Sequence, residues 1–276
     1  MVADSQLDLF FAVAGEIKPK SVQDLSRVNW FSLTKKRRIE PIVHRVGDDY
    51  IRITAVPEYG IASVWDNDLL LFITAQLMRA VNNNQPVSRQ FQFFGWDYYK
   101  FTGKKSTGGR AYAEMWDSLQ RLHHTHIETS IRTTNGVRNE HFNWLSRVGR
   151  VVGSKGTENR GFEVEIPDWF FDSIVKHKNI LTIESDYFKI KGSLERWLYL
   201  FARKSAGKQR NGWEETLVSL HKKSGTNTPF IEFKRQISKI IQKGSIVDYK
   251  MEPSYVFDRN EKKQLSGVRF TLQKRI

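Results

Sequence analysis

The sequence predicts an α+β chain made of two tandem winged-helix domains packed together. Two observations carry that expectation. The order helix, short strand, helix, turn, helix, then strands joined by tight turns occurs twice. The last helix of the second occurrence is sharply amphipathic, and its polar face is cationic. The boundaries follow as an arm at 1–27, a first domain at 28–180 and a second at 181–276.

In the arm, Leu7, Leu9, Phe10 and Phe11 can act as anchors, and "IKPKSVQDLS" reads as a loop. Two alternating runs over 33–60 flank Gly47-Asp48-Asp49, a hairpin pattern. Over 63–84, Leu69, Leu70, Ile73, Leu77 and Val81 share one stripe of a helix, with Asp66 as its expected N-cap and an asparagine run at its end. A short strand over 87–94 and a helix from 95 follow. A turn then leads to a helix over 110–125 with Ala111, Met115, Leu119 and Leu122 inward. Strand 126–133 meets Asn135-Gly136, a strong hairpin signal; strands over 142–153 and 162–166 follow, and Pro167 opens a short helix. No flexible linker occupies 176–192, so the two domains are expected to pack on each other.

In the second half, Ser193 starts a helix that Gly207 stops, with Leu194, Trp197, Leu198 and Phe201 inward. A second helix is expected over 213–225 with Trp213, Leu217 and Leu220 inward. The third is capped by "TNT", with Pro229 at its first position, where a missing N–H costs nothing. Its stripe of Phe230, Phe233, Ile237, Ile240 and Ile241 calls for a core, and Gly244 closes it. Two strands around a basic tip (Arg259, Lys262, Lys263) complete the unit.

Charge narrows the partner. Lys and Arg number 44 against 30 acids, a net of +14. Residues 193–276 hold 18 of those cations and 8 acids, so +10 of the excess sits in the last third. Such an excess points to a polyanion, either nucleic acid or an anionic membrane surface. The apolar run at 69–78 is far shorter than the ~20 residues of a span. The N-terminus opens with acids rather than a positive n-region. With no cysteine there is no disulfide framework or thiolate chemistry. A cytoplasmic, nucleic-acid-binding protein is expected.

The second domain is then the main DNA reader. Thr226, Asn227 and Thr228 would present N–H groups and hydroxyls to a phosphate, and Lys234, Arg235, Ser238 and Lys239 would face the major groove. Lys222 and Lys223 extend the cationic side. In the first domain, Lys104, Lys105, Ser106, Thr107 and Arg110 could bind phosphate, but Glu114 and Asp117 dilute that face, so DNA contact and a protein interface both stay open. The run Lys35-Lys36-Arg37-Arg38 reads as a phosphate clamp or a solvated strand entry.

Other chemistry finds little support. "HHTH" (123–126) places His124 and His126 two apart, which in a strand would suit two metal ligands, but no third ligand lies nearby. Gly108-Gly109 has neither a preceding strand nor the Lys-Ser/Thr of a P-loop. No catalytic residue, metal or cofactor is expected.

Three blocks carry a family resemblance: "ITAVPEYGIASVWDNDLLLFITAQLMRAVNNNQPVSRQFQF" (53–93), "TGGRAYAEMWDSLQRLHHTHIETSIRT" (107–133), and 194–237 from "LERWLYLFARKSAG" to "WEETLVSLHKKSGTNTPFIEFKRQI". The chain resembles the plasmid replication initiator protein A family of proteobacteria from about Phe31 onward. The resemblance implies a theta-type initiator that binds direct repeats (iterons) in double-stranded origin DNA, promotes opening of an AT-rich segment and helps deliver the replicative helicase alongside the host initiator. It also implies a tandem winged-helix fold in which monomers initiate and homodimers repress. The arm and Ser205-Ala206 depart from the pattern. Two rivals remain: a winged-helix transcriptional repressor, and a rolling-circle strand-nicking enzyme.

Overall fold

In a computed structural model, the described residues are 9–12, 18, 20–22, 28–46, 49–104, 108–130, 140–152, 159–257 and 261–273. The architecture is mixed α and β, with four sheets among the described residues.

Helix α1 (Asn67–Asn82) is the hub. Thirteen of its 16 residues are buried, because apolar side chains occupy nearly its whole circumference. Leu69, Leu70, Phe72, Ile73 and Leu77 belong to one apolar core, whereas Leu71 belongs to another built from Ile183 onward. One helix therefore contributes to both cores.

The two halves repeat one topology. In the first, β5 (Gln90–Phe93), β8 (Arg147–Val152) and β9 (Asn159–Glu165) form an antiparallel set in the order β5-β9-β8. Helices α2 (Gly95–Thr102) and α3 (Gly109–His124) lie between β5 and β8 in the chain. In the second, helix α5 (Ser193–Ser205) precedes β11 (Trp213–Thr216), α6 (Leu217–Ser224) and α7 (Phe230–Gln242). Strands β13 (Tyr249–Phe257) and β14 (Lys263–Leu272) then give the order β11-β14-β13. The short strand β12 (Ser245–Ile246) extends this sheet beside β13.

Further strands complete the first half. Strands β3 (Ile42–Val46), β4 (Asp49–Ala55), β6 (Thr125–Thr129) and β7 (Glu140–Asn143) form a further sheet in that order. The expected loop near the N-terminus is partly strand: β2 (Lys20–Val22) pairs with β10 (Ile180–Thr182), and β1 (Leu9–Phe11) adds in parallel to β5. After α4 (Asp168–Val175) and β10, a short 3-10 helix over Ser185–Lys189 leads directly into α5.

Several local expectations are corrected. Asp66 occupies the N-cap of α1 without capping through its side chain; its carboxylate accepts from Ser63 N (2.7 Å) and from Arg121 through both oxygens (2.9 and 2.7 Å). The predicted strand at 142–153 is broken at buried Trp144 and Leu145 into β7 and β8, which lie in different sheets. The helix expected to begin at Trp213 starts four residues later. Trp213 is in β11 and exposed, and Thr216 caps α6 by accepting from Ser219 N at 3.2 Å. Helix α5 starts at Ser193 as expected, with Gly192 as its N-cap, and Ser193 Oγ donates to Leu33 O at 2.6 Å. Pro229 is the N-cap of α7 rather than its first residue. The hairpin expected at Asn135-Gly136 lies outside the described residues.

Candidate nucleic-acid interface

Helix α7 buries Phe233, Ile237 and Ile240 in the second core, with Ile241 packed beside them; Phe230, expected inward, is 38% exposed and meets His221 edge-on. That burial fixes which way the cations point. Arg235 and Lys239 are exposed and Lys234 is partly so. Arg235 pairs with Glu232 one turn earlier at 2.8 Å, and that hydrogen bond holds the Glu232 carboxyl below its ordinary value. Ser238 Oγ donates to Lys234 O at 2.9 Å and keeps its lone pairs to accept.

One residue of this face escapes a reading based on charge. Ile231 is 84% exposed, three and four residues before Lys234 and Arg235 and so on their side of the helix. Its signal was available: an apolar residue off the 233–237–240 stripe has no core to enter.

The turn between α6 and α7 is clamped from the first half of the chain. Arg38, 7% exposed, donates to Gly225 O (2.7 Å) and Asn227 Oδ1 (2.8 Å), and also to Glu40 O and Pro41 O. Asn29 donates from its backbone to Lys223 O (2.8 Å) and from Nδ2 to Ser224 O (2.9 Å), while His44 Nε2 meets Asn29 O at 2.7 Å. Gly225 has φ +60°, and a Cβ there would lie 2.6 Å from Ile42 Cγ2, so both backbone and space demand glycine. Of the basic run at 35–38, Arg38 is thus an internal strut rather than a phosphate clamp.

These contacts also revise the turn residues. Thr228 N donates to Thr226 Oγ1 and Thr226 N to Ser224 Oγ, so neither N–H is free for a phosphate. Asn227 spends its amide oxygen on Arg38. Lys223 is tied to Glu215 at 2.6 Å with its ammonium over the Phe201 ring, whereas Lys222 is exposed.

The hairpin β13–β14 carries Lys262 and Lys263, both exposed; Arg259 lies outside the described residues. In the first half, Lys104 Nζ reaches Tyr98 Oη and sits over that ring, and exposed Arg110 pairs with Glu114 at 3.0 Å. Lys105, Ser106 and Thr107 lie outside the described residues. The histidines separate: His124 ends α3 and stacks on Tyr59 at 4.2 Å, and His126 in β6 meets His141 of β7 at 3.2 Å. Among the described residues, no three His, Cys, Asp or Glu side chains converge as a metal site, and no helix is long and apolar enough to cross a membrane.

Comparison with known proteins places the chain. The family described as Replication initiator protein A matches residues 20–251. The chain belongs to this plasmid replication initiator family. A Wigglesworthia glossinidia brevipalpis protein named "Putative replication protein" is 30% identical over 210 residues, 75% of each chain. Two crystal structures of domains 2 and 3 of RctB share the fold. One superposes with a TM-score of 0.65 at 15% identity over 92% of this chain and 99% of its own. The other gives 0.58 at 14% identity over 91% and 97%. At such low identity they speak for the architecture alone. This replication initiator therefore shares the fold of domains 2 and 3 of RctB.

Proposed function

We propose that this initiator reads repeated sites in double-stranded plasmid origin DNA through two winged-helix units, with α7 in the major groove of each site. The single observation that carries this reading is the outward face of α7. Lys234, Arg235, Ser238 and Lys239 follow exposed Ile231 along one side of the helix, whose leading turn is held by Arg38 and Asn29. Phosphate neutralisation supplies most of the affinity, and base-edge contacts supply the specificity. Ile231 suits a thymine methyl and Arg235 the acceptor edge of guanine. Footprinting on the DNA flanking its own gene tests this. Tandem protected repeats are expected, and uniform salt-sensitive coating without a footprint would remove the sequence-specific reading.

Arg235→Ala and Lys239→Ala should each weaken binding by about 1–3 kcal/mol where the side chain meets a base, and relax preference at one position of the repeat. Gel-shift titration at fixed salt against single-base variants of the repeat measures both. Unchanged affinity in both proteins would move the reading surface away from α7.

The family membership supports the wider role: opening of an AT-rich segment, delivery of the replicative helicase with the host initiator, and a repressing homodimer, all in the cytoplasm. Catalysis is left to partners. His124→Ala with His126→Ala should leave origin binding intact, and a chelator should not alter the purified chain's effect on supercoiled origin DNA. Metal-dependent nicking of that DNA would make it a strand-cutting enzyme instead. Plasmid maintenance separates an initiator from a plain repressor, which would occupy the repeats without supporting replication.

A further inference from the structure

The β13–β14 hairpin changes character at a bulge. Tyr249 and Met251 are buried in the second core, and the register then shifts between Ser254 and Tyr255. Beyond the bulge three pairs project: Tyr255 with Leu265, Val256 with Gln264, and Phe257 with Lys263. Tyr255, Val256 and Phe257 are 44%, 55% and 70% exposed. Alternation along a strand puts Tyr255 and Phe257 on one face with Leu265 and Lys263 opposite them, and Lys263 Nζ lies 4.0 Å from the Tyr255 ring centroid. Lys262 adds a second exposed cation beside Phe257's partner.

Phe257 belongs to neither core, so folding gives no reason for a large ring at the end of a ribbon. Three projecting pairs are too few for a stable protein interface, which buries on the order of 1,000 Å² or more. An apolar ring flanked by lysines on a narrow ribbon instead matches a groove lined by phosphates. Resting on the DNA-binding reading above, we propose that Phe257 is a DNA wedge. The hairpin follows the minor groove beside the segment read by α7, Lys262 and Lys263 meet the phosphates, and Phe257 enters between two base pairs. Entry unstacks that step and bends the duplex toward the major groove. Pyrimidine–purine steps such as TA unstack most easily, so a preference for them arises at a step that no hydrogen bond reads. The bulge assists by re-aiming the end of β13 that carries Phe257. The match to the family ends at residue 251, just before this segment.

The test uses duplexes selected from a random-sequence pool by the full wild-type chain. Bending is measured by energy transfer between end labels, and unstacking by 2-aminopurine placed at each step of the protected region. The wild type should bend its duplex by roughly 20–90° and raise fluorescence at one step. Phe257→Ala should still shift the duplex but lose both signals, and Phe257→Leu, which keeps an apolar wedge, should restore most of the bend. Melting temperatures should agree among the three proteins because the side chain is exposed. If Phe257→Ala bends and unstacks DNA as the wild type does, or the wild type binds without bending, the wedge is refuted while the DNA-binding reading stands. Failure of the wild type to select any duplex removes both.

Discussion

Phe233→Ala should lower the stability of the second half by about 3–5 kcal/mol and abolish DNA binding at the same time. Phe233 is 1% exposed in α7, packs edge-on against His221 at 4.9 Å and lies in one core with Trp197, Phe201, Ile237 and Phe270. Removing the ring takes apolar area from the core and leaves a cavity that a close-packed neighbourhood cannot fill. A loss of that size is a large share of the ~5–15 kcal/mol that holds an ordinary domain together. Lys239→Ala, on the exposed side of the same helix, should stay within about 0.5 kcal/mol in stability yet weaken binding. The pair separates folding from recognition: a thermal melt and a gel-shift titration should move together for Phe233→Ala and apart for Lys239→Ala. A wild-type melt for Phe233→Ala would mean that α7 does not seat on its 233–237–240 stripe.

Much of the helical framework was legible because its cause is local. The 3.6-residue stripe of α7, the stripes of α3 and α5 and the apolar wealth of α1 each state what they bury, and the elements found at those places follow the predicted order. Strand partners were not legible, because pairing joins residues far apart in sequence. Nothing near Lys20 announces Thr182, and nothing near Phe142 announces that the chain leaves one sheet for another at Trp144. The start of α6 was misplaced because "WEETLVSLHKK" suits a helix throughout, whereas pairing with β14 draws Trp213–Thr216 into a strand and Thr216 then becomes the cap.

Charge made the outward face of α7 legible but could not tell a free cation from an occupied one. Arg38 and Lys223 look like their solvent-exposed neighbours in sequence, yet the fold uses Arg38 to pin the α6–α7 turn and Lys223 to neutralise Glu215. Ile231 is legible as an apolar residue off the 233–237–240 stripe, whereas Phe257 is hidden by the opposite difficulty. Phe257 sits in a strand whose apolar residues invite a core assignment, and only burial reveals that no core takes it. An apolar side chain left out beside cations is the feature most worth testing on this surface.

Arg196→Met should destabilise the chain by about 3–5 kcal/mol at neutral pH, because it strands a buried carboxylate between the two cores. Arg196 on α5 and Asp68 on α1 meet at 2.7 Å with side chains 4% and 0% exposed. Arg196 also donates to Ile190 O and Phe188 O, and its guanidinium lies over the Tyr187 ring. Burial opposes the charge on both partners, but Asp68 and Tyr187 together raise Arg196 above its ordinary value, so the guanidinium stays charged. Burial pushes the Asp68 carboxyl from 3.8 up to about 6 against the pull of Arg196, and one of its oxygens has no hydrogen-bond partner among the described residues. The folded chain therefore holds this proton more tightly than the unfolded chain. The stability this group contributes is greatest at low pH, falls as pH rises from about 4 to 6, and is level above that. Arg196→Met removes the main cation that opposes the rise, so the carboxyl's folded value climbs further and its loss continues past pH 6. The gap between wild type and variant should open from pH 6 toward 8, by up to about 1.4 kcal/mol per unit. Asp68→Asn combined with Arg196→Met removes the stranded charge and should recover much of the loss, since a buried pair replaced as a pair is often close to neutral. Denaturant unfolding of the three proteins at pH 5.5, 6.5 and 7.5 measures this. A gap that does not depend on pH, or a double variant as weak as Arg196→Met alone, would show that Arg196 acts through its carbonyl contacts and ring packing rather than through Asp68.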